Sequence, residues 1–266
     1  MRKIWALIRA TAISAASYRT AFLTGLLSSL VTALPIFFIT KALQPTMAAS
    51  IAGEGSNYFG FVILGLMLSQ WMSFGSSSAE DALLGSIRNG TLEAFFATPT
   101  RLPTLMAGLM GWPFLMTLLR SVVMVGTAML FGVKMHLAGV PLALLVILLV
   151  AVAYSGVSLL SAALVLTIRT SGPLISAVSV GSYLLGGVYY STSSIPSWIR
   201  SLSEIVPLAP GLRALRRVLL EGSGWTAVSG DVGHLALLAF ALLAVTTPFL
   251  LLALHQARRT GTLAQY

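Results

Sequence analysis

Serine and histidine side chains are the first candidates for chemistry, because together they can supply the nucleophile and the base of a hydrolase. The sequence has three histidines, His136, His234 and His255, and each lies near the end of an apolar run. No G-x-S-x-G or G-x-S-G string places a serine in a tight, exposed turn. We therefore interpret the histidines as interfacial residues and do not predict an intramembrane hydrolase.

The sequence also lacks motifs for binding a metal ion or a nucleotide. The seven carboxylates form no His-x-x-His or His-Glu-x-x-His pattern, and the chain has no cysteine, which removes the usual ligands of zinc. No G-x-x-x-x-G-K-[ST] phosphate loop occurs, so the chain has no such site for ATP. We expect no catalytic residue, metal site or cofactor here, and energy for any driven process must come from a partner.

Arg120 is the one charged residue deep inside an apolar run. Ionisable groups at membrane depth commonly contact substrate, so Arg120 is a candidate contact for an anionic headgroup. The alternative is that its helix projects past the bilayer and the side chain reaches the interface. No Asp or Glu lies at comparable depth, which argues against an ion-coupled pump.

The composition explains why charges are so sparse. Of 266 residues, 57% are hydrophobic and only 9% are charged, against roughly 25% in a soluble domain. The net charge of +9 comes from short basic clusters between apolar runs. Basic clusters in such positions are typical signals of membrane topology. We therefore predict a membrane protein in contact with lipid and no nucleic acid partner.

Six apolar runs are long enough to cross a bilayer as helices, which takes about 20 residues each. They lie near residues 21–40, 57–79, 103–131, 138–168, 172–190 and 232–254. The prediction is an all-α membrane protein in which residues 1–266 form a single transmembrane domain. Residues 1–19 alternate basic and apolar side chains, which favours an interfacial helix.

The distribution of Lys and Arg sets the orientation. Six spans put both termini on one side, which carries nine Lys and Arg near span ends against six on the other side. Because positive loops stay inside, we place both termini in the cytoplasm. Most of the opposing charge lies between Arg200 and Arg217.

Two connections are long. Residues 80–101 alternate apolar and charged side chains before Thr98-Pro99, which predicts short amphipathic helices on the cytoplasmic side. Residues 191–231 contain Leu212, Leu215 and Leu219 on one helical face. The basic side chains take the other faces, so we predict a short interfacial or re-entrant helix on the outer side.

Three stretches together resemble the membrane subunit of ABC-2 type exporters, the permeases of drug, lipo-oligosaccharide and polysaccharide export. They are NGTLEAFFATP at 89–99, GGVYYSTSSIPSW at 186–198, and VPLAPGLRALR at 206–216 followed by LLEG at 219–222. Ser191 stands where many relatives have proline, which leaves the subgroup open.

The resemblance implies two copies of this chain around a central path, with two copies of a separate ATPase that binds ATP and Mg. Residues 80–101 would form the cytoplasmic coupling loop and 191–231 the outer gate segment. The residues implied for ATPase coupling are Arg88, Leu92, Glu93, Phe95 and Phe96. Those implied for the outer gate are Tyr189, Tyr190, Pro196, Trp198, Arg213 and Arg216.

Aromatic residues crowd the first two spans and are candidates for lining a substrate path, although lipid-facing or packing roles are equally open. The candidate path residues are Phe38, Tyr58, Phe61, Trp71 and Arg120. We therefore expect an ATP-driven exporter permease for a hydrophobic or amphipathic compound in the bacterial cytoplasmic (inner) membrane. The alternatives are export of a lipid-linked saccharide, or a non-transport scaffold or sensor.

Overall fold

The computed structural model describes residues 19–88, 102–168 and 172–260. In these ranges the chain forms eight α-helices, two short 3₁₀ helices and no strand. The α-helices are α1 (Arg19–Ile51), α2 (Tyr58–Arg88), α3 (Leu102–Leu130), α4 (Val140–Ile168), α5 (Gly172–Leu185), α6 (Ser197–Ser203), α7 (Leu208–Leu220) and α8 (Trp225–Thr260). The 3₁₀ helices are Leu137–Gly139 and Thr192–Ser194. The predicted interfacial helix over 1–19 lies outside the described residues except for Arg19.

Five of the described helices are long and apolar enough to cross a membrane. Their apolar windows are Leu30–Ile51, Tyr58–Ser78, Met110–Leu130, Leu137–Val165 and Trp225–Ala253. The prediction of an all-α membrane protein is confirmed.

The fifth predicted span, 172–190, differs from the helix that forms there. Helix α5 has 14 residues, or roughly 21 Å at 1.5 Å per residue, which is less than the hydrocarbon thickness of about 30 Å. Gly187 has a φ of +75°, a conformation that glycine adopts at little cost. The chain therefore leaves the helix at Gly186 and Gly187 and continues as irregular backbone.

Helix ends do not coincide with the charges that bounded the predicted spans. Helix α1 continues past Lys41 to Ile51, and α2 continues past Glu80 and Asp81 to Arg88. A helix keeps its backbone hydrogen bonds in water as well as in lipid, so a charge marks the membrane boundary and not the helix end. Residues 80–88, predicted as part of a loop, are the last turns of α2.

Helix α2 forms the centre of the bundle and packs against α1, α3, α4 and α7. Its apolar window is 78% buried, whereas the windows of α1 and α8 are 11% and 17% buried. Helices α2 and α4 approach closely at Gly75, where an added Cβ would lie 2.7 Å from the Ala151 carbonyl oxygen. Only glycine permits this approach.

Helix α7 lies inside the bundle, in contact with α2, α4 and α8. Its predicted apolar face, Leu212, Leu215 and Leu219, is buried as expected. The opposite side is not uniformly polar surface, because Arg216 is also buried. The helix is thus less peripheral than the predicted interfacial helix.

Candidate functional site

Arg216 is the most deeply buried charged side chain among the described residues, with 1% relative exposure. Helix α7 places it between the start of α2 and the irregular backbone that follows α5. Isolated charges in such surroundings are costly, so a buried guanidinium needs both an anion and hydrogen-bond acceptors.

The anion is Glu54, in the connection between α1 and α2. Arg216 Nη1 donates to Glu54 Oε2 at 2.9 Å, and both side chains are almost fully buried. The other carboxylate oxygen, Oε1, accepts from the Ser191 hydroxyl at 2.7 Å. Glu54 thus supplies the counter-charge that a buried guanidinium requires.

The remaining donors of Arg216 bind three backbone carbonyls. Nε and Nη2 both donate to Phe61 O at 3.2 Å. Nη2 also donates to Gly187 O and Val188 O at 3.0 Å each. Irregular backbone at membrane depth is tolerated only where its polar groups are satisfied by protein, and Arg216 satisfies these two carbonyls after α5.

The Phe61 ring lies under the guanidinium, 3.3 Å from its carbon to the ring centroid, a favourable cation–π arrangement. We name Arg216, Glu54, Phe61 and Ser191, with the carbonyls of residues 187 and 188, the Arg216 cluster. It joins three segments that are distant in sequence, residues 54–61, residues 187–191 and Arg216. Tyr58, one turn before Phe61, reinforces it by donating to Tyr189 O at 2.9 Å.

Arg213 organises a second, more exposed network on the same helix. It forms a two-pronged ion pair with Glu204 and donates to Asp231 Oδ1 at 2.9 Å. Arg217 adds a 3.3 Å contact to Asp231 Oδ2. The hydrogen bond from Arg213 holds the pKa of Glu204 below its usual value. The network ties the segment after α6 to α7 and the first turns of α8.

The other predicted gate residues have different surroundings. Trp198 and Tyr189 are 68% and 48% exposed. Pro196 is exposed and lies at the N-cap of α6. Tyr190 is half-buried and its hydroxyl donates to Leu184 O. The structure thus brings Arg216 into a buried cluster and leaves Trp198 and Pro196 on the surface.

A polar cavity of about 460 Å³ lies between α1, α2, α3 and α5. Arg120 of α3 is part of its wall, and Gln70, Ser73 and Ser77 of α2 line the opposite part. Helix α1 contributes Ser28 and Thr32, helix α3 also contributes Thr117, and α5 contributes Tyr183. Leu66, Phe74, Pro113 and Met124 supply apolar surface.

The five predicted path residues do not share one surface. Tyr58 and Phe61 belong to or flank the Arg216 cluster, and Phe38 is 67% exposed on α1. Trp71 is buried, donates to Ser121 Oγ at 2.8 Å, and packs edge-on against Phe74 at 5.9 Å between ring centroids. Only Arg120 lines the cavity itself.

Four of the predicted coupling residues, Leu92, Glu93, Phe95 and Phe96, lie outside the described residues. Arg88 is the last residue of α2. Their assigned role stays a prediction.

Sequence reasoning missed two buried acids, Glu54 and Glu80. Glu80 Oε2 accepts from Ser161 Oγ at 2.5 Å, which links α2 to α4. Both acids lie at the ends of apolar runs, where a charge normally indicates solvent. One available signal was Ser191, whose departure from the relatives' proline introduces the hydroxyl that Glu54 binds. Another signal was the serine-rich stretch from Ser73 to Ser78. It places hydroxyl groups inside a span and so indicates polar contacts within the bundle.

These features define a polytopic α-helical membrane protein that has an open, partly polar cavity between its helices and a buried ion pair at one end of α2. The sequence profile of the ABC-2 type transporter family matches residues 2–220, and the chain belongs to this family. It is therefore a membrane permease component of an ABC transporter, a transport component that associates with an ABC ATPase subunit. No curated protein sequence gives a significant match to the chain.

Proposed function

We propose that the chain is the permease of an ATP-driven exporter for a hydrophobic or amphipathic compound, drug or lipid-like. Two copies pair in the bacterial cytoplasmic membrane with both termini in the cytoplasm, so that α5 and the irregular backbone after it together make the sixth crossing. Two ATPase subunits bind ATP and Mg and drive the cycle.

The observation that carries this proposal is the relation between the Arg216 cluster and the polar cavity along α2. Phe61 of the cluster lies near the beginning of α2, whereas the cavity residues Leu66 to Ser77 lie further along it. With the termini in the cytoplasm, α2 begins on the outer side. The cluster then closes the outer end and the cavity lies closer to the cytoplasm, an arrangement that favours loading from the inner side.

The exposed faces of α1 and α8 support pairing of two copies. Both windows are largely unburied within one chain, and α1 presents Val31 and Phe38 at 64% and 67% exposure. Such faces suit lipid or a second copy. Pairing across α1 would place the cavity, which α1 helps to line, next to the interface.

The length of α2 supports contact with the ATPase. Its apolar window ends at Ser78, and the helix continues to Arg88. With about 1.5 Å per residue, these last turns project roughly 15 Å beyond the apolar window. The projection ends at Arg88, which supports the coupling role that we propose for this residue.

Direction and dependence on ATP are tested in proteoliposomes that contain the chain and its ATPase. A fluorescent amphiphile is added outside, and only transporters with outward-facing ATPase subunits respond to added ATP. We expect ATP-dependent accumulation in the lumen. Release of preloaded amphiphile from the lumen on the addition of external ATP would instead indicate import and contradict the proposal.

The coupling role is tested by Arg88→Ala combined with Glu93→Ala. We expect ATP hydrolysis to continue while transport per ATP falls, because the contact that transmits the ATPase motion is weakened. Lys134→Gln, an exposed change in the connection after α3, serves as the control. Equal transport per ATP in the double variant and the control would remove the assigned role.

A further inference from the structure

Arg120 lies at the middle of the apolar window Met110–Leu130 of α3, not at its end. Its side chain lines the polar cavity and packs against α1, where a Cβ on Gly25 would lie 2.8 Å from Nη2. The guanidinium is therefore directed into the bundle at a position where α1 has no side chain.

The charge of Arg120 is not neutralised within the described part of the chain. Its Nε is buried and has no hydrogen-bond partner there, and the ion pairs of that part involve other cations. The acids nearest to membrane depth, Glu54 and Glu80, are engaged with Arg216 and Ser161. A cation at such depth is costly without a counter-charge.

The rest of the cavity wall fits the headgroup of an amphipathic anion. Gln70, Ser73 and Ser77 supply amide and hydroxyl groups on α2, and none of the described residues that line the cavity is acidic. Thr117 donates to its own helix at Pro113 O, 2.9 Å away, so the donors left for an anion are those of Arg120, Gln70 and the two serines. Leu66, Phe74 and Met124 in the same wall provide apolar surface for the adjoining part of a tail.

We infer that the polar cavity binds an amphipathic molecule through an anionic headgroup, phosphate or carboxylate, held by Arg120. The inference rests on the proposed transport function and specifies its substrate class. The bidentate geometry of a guanidinium matches both oxyanions. A cationic amphiphile is disfavoured by the same charge, and a neutral one gains only hydrogen bonds.

The test is photo-labelling of the full chain with its ATPase in phosphatidylcholine nanodiscs. The probe is a dodecyl phosphate that carries a diazirine in the tail close to the headgroup, and mass spectrometry locates the label. We expect the label on the α2 and α3 segments that line the cavity. We expect competition by unlabelled dodecyl phosphate at concentrations at least about tenfold below those needed for octaethylene glycol monododecyl ether or dodecyltrimethylammonium.

Variants isolate the charge. Arg120→Gln should raise the competing concentration of dodecyl phosphate by about tenfold or more, since a hydrogen bond to a charged group typically accounts for such a factor. Arg120→Lys should recover part of the affinity because it restores the charge without the two-pronged geometry. Lys134→Gln, which removes one positive charge elsewhere, should leave labelling unchanged.

The competition series in the unmodified chain needs no variant, so a folding defect in Arg120→Gln does not remove the test. Equal competition by the anionic, neutral and cationic amphiphiles would overturn the inference. Displacement by inorganic phosphate as effective as by dodecyl phosphate would show a free-anion site and overturn the amphipathic assignment. Labelling requires neither ATP nor turnover, so its failure while ATP-driven transport of other amphiphiles persists would refute the substrate class alone.

Discussion

The Arg216 cluster makes a quantitative prediction about stability, because it combines a buried ion pair with hydrogen bonds to backbone carbonyls of α2 and of the irregular backbone after α5. Arg216→Met removes the partner of the buried Glu54 carboxylate. It also removes the donor that binds Phe61 O, Gly187 O and Val188 O. Breaking a buried ion pair on one side costs about 3–5 kcal/mol.

Each buried carbonyl left without a donor adds about 1–3 kcal/mol unless water reaches it. We therefore expect Arg216→Met to lower the free energy of unfolding by at least about 5 kcal/mol. Glu54→Gln should cost less, about 3 kcal/mol, since its amide oxygen still accepts a hydrogen bond and the guanidinium keeps its carbonyl and Phe61 contacts. Arg216→Lys should fall between them, because an ammonium group has too few donors for all four acceptors.

The assay is thermal unfolding of the purified chain in nanodiscs, followed by tryptophan fluorescence. A loss of 3–5 kcal/mol corresponds to a fall in Tm of roughly 10 °C for a domain of this size class. The double variant of Glu54→Gln with Arg216→Met should cost less than the sum of the single changes, since the two side chains are coupled. Lys134→Met, at an exposed site, should stay within about 0.5 kcal/mol of the original chain.

The ranking of the variants by free energy of unfolding tests the Arg216 cluster most directly. If Arg216→Met unfolded within about 1 kcal/mol of Lys134→Met, the cluster would not hold the segments together as described. If Glu54→Gln were more damaging than Arg216→Met, the three carbonyl contacts would contribute little.

Three further predictions concern other contacts and are checked by the same unfolding assay. Gly75→Ala should lower the free energy of unfolding by about 1–3 kcal/mol through overpacking against α4. The control is Gly126→Ala on α3, where an added Cβ meets nothing within 4 Å; it should be neutral or slightly stabilising. Equal effects of the two changes would contradict the close α2–α4 approach. Ser161→Ala should cost about 1–3 kcal/mol, since the buried Glu80 loses a hydroxyl donor, and an unchanged Tm would show that this hydrogen bond is dispensable. Arg213 holds the pKa of Glu204 below its ordinary value of 4.5. The stability from this pair is therefore complete above pH 4.5 and is lost as the pH falls through the lowered folded-state pKa. Glu204→Gln should reduce the loss of stability at acid pH, and an unaltered pH profile would contradict the assignment.

Composition and hydrophobic run length were sufficient to predict the membrane class and most of the spans. Long apolar runs must become helices in lipid because no other local structure satisfies the backbone there. The same rule did not predict where α5 ends. Its run stays apolar to Tyr190, but Gly186 and Gly187 release the chain from the helix at Leu185. Backbone carbonyls exposed where the helix ends are hydrogen-bonded by Arg216 of α7. The length of the apolar run contains no information about this contact.

The Arg216 cluster was beyond prediction for a related reason. Arg216 and Glu54 are 162 positions apart, and each lies beside an apolar run, where a charge normally marks the aqueous side. Local pattern correctly gave the apolar face of α7, including Leu215. It also predicted that the opposite, basic face is exposed to water. The spacing of apolar residues indicates one buried face of a helix but does not show which residues contact the other face. Only the pairing of distant segments makes that face buried.

The contrast between Arg216, which is fully buried, and Arg120, which is partly buried, separates structural support from binding. Arg216 uses its donors on a carboxylate and three carbonyls and has an aromatic ring beneath it, so a ligand could bind it only by displacing contacts that stabilise the fold. Arg120 has a buried Nε without a partner among the described residues, and none of the described residues that line its cavity is acidic. An incoming anion there breaks no ion pair and neutralises a charge that the bundle otherwise holds at a cost. Binding of an anion at Arg120 would therefore add an ion pair, whereas binding at Arg216 would first break contacts that stabilise the fold.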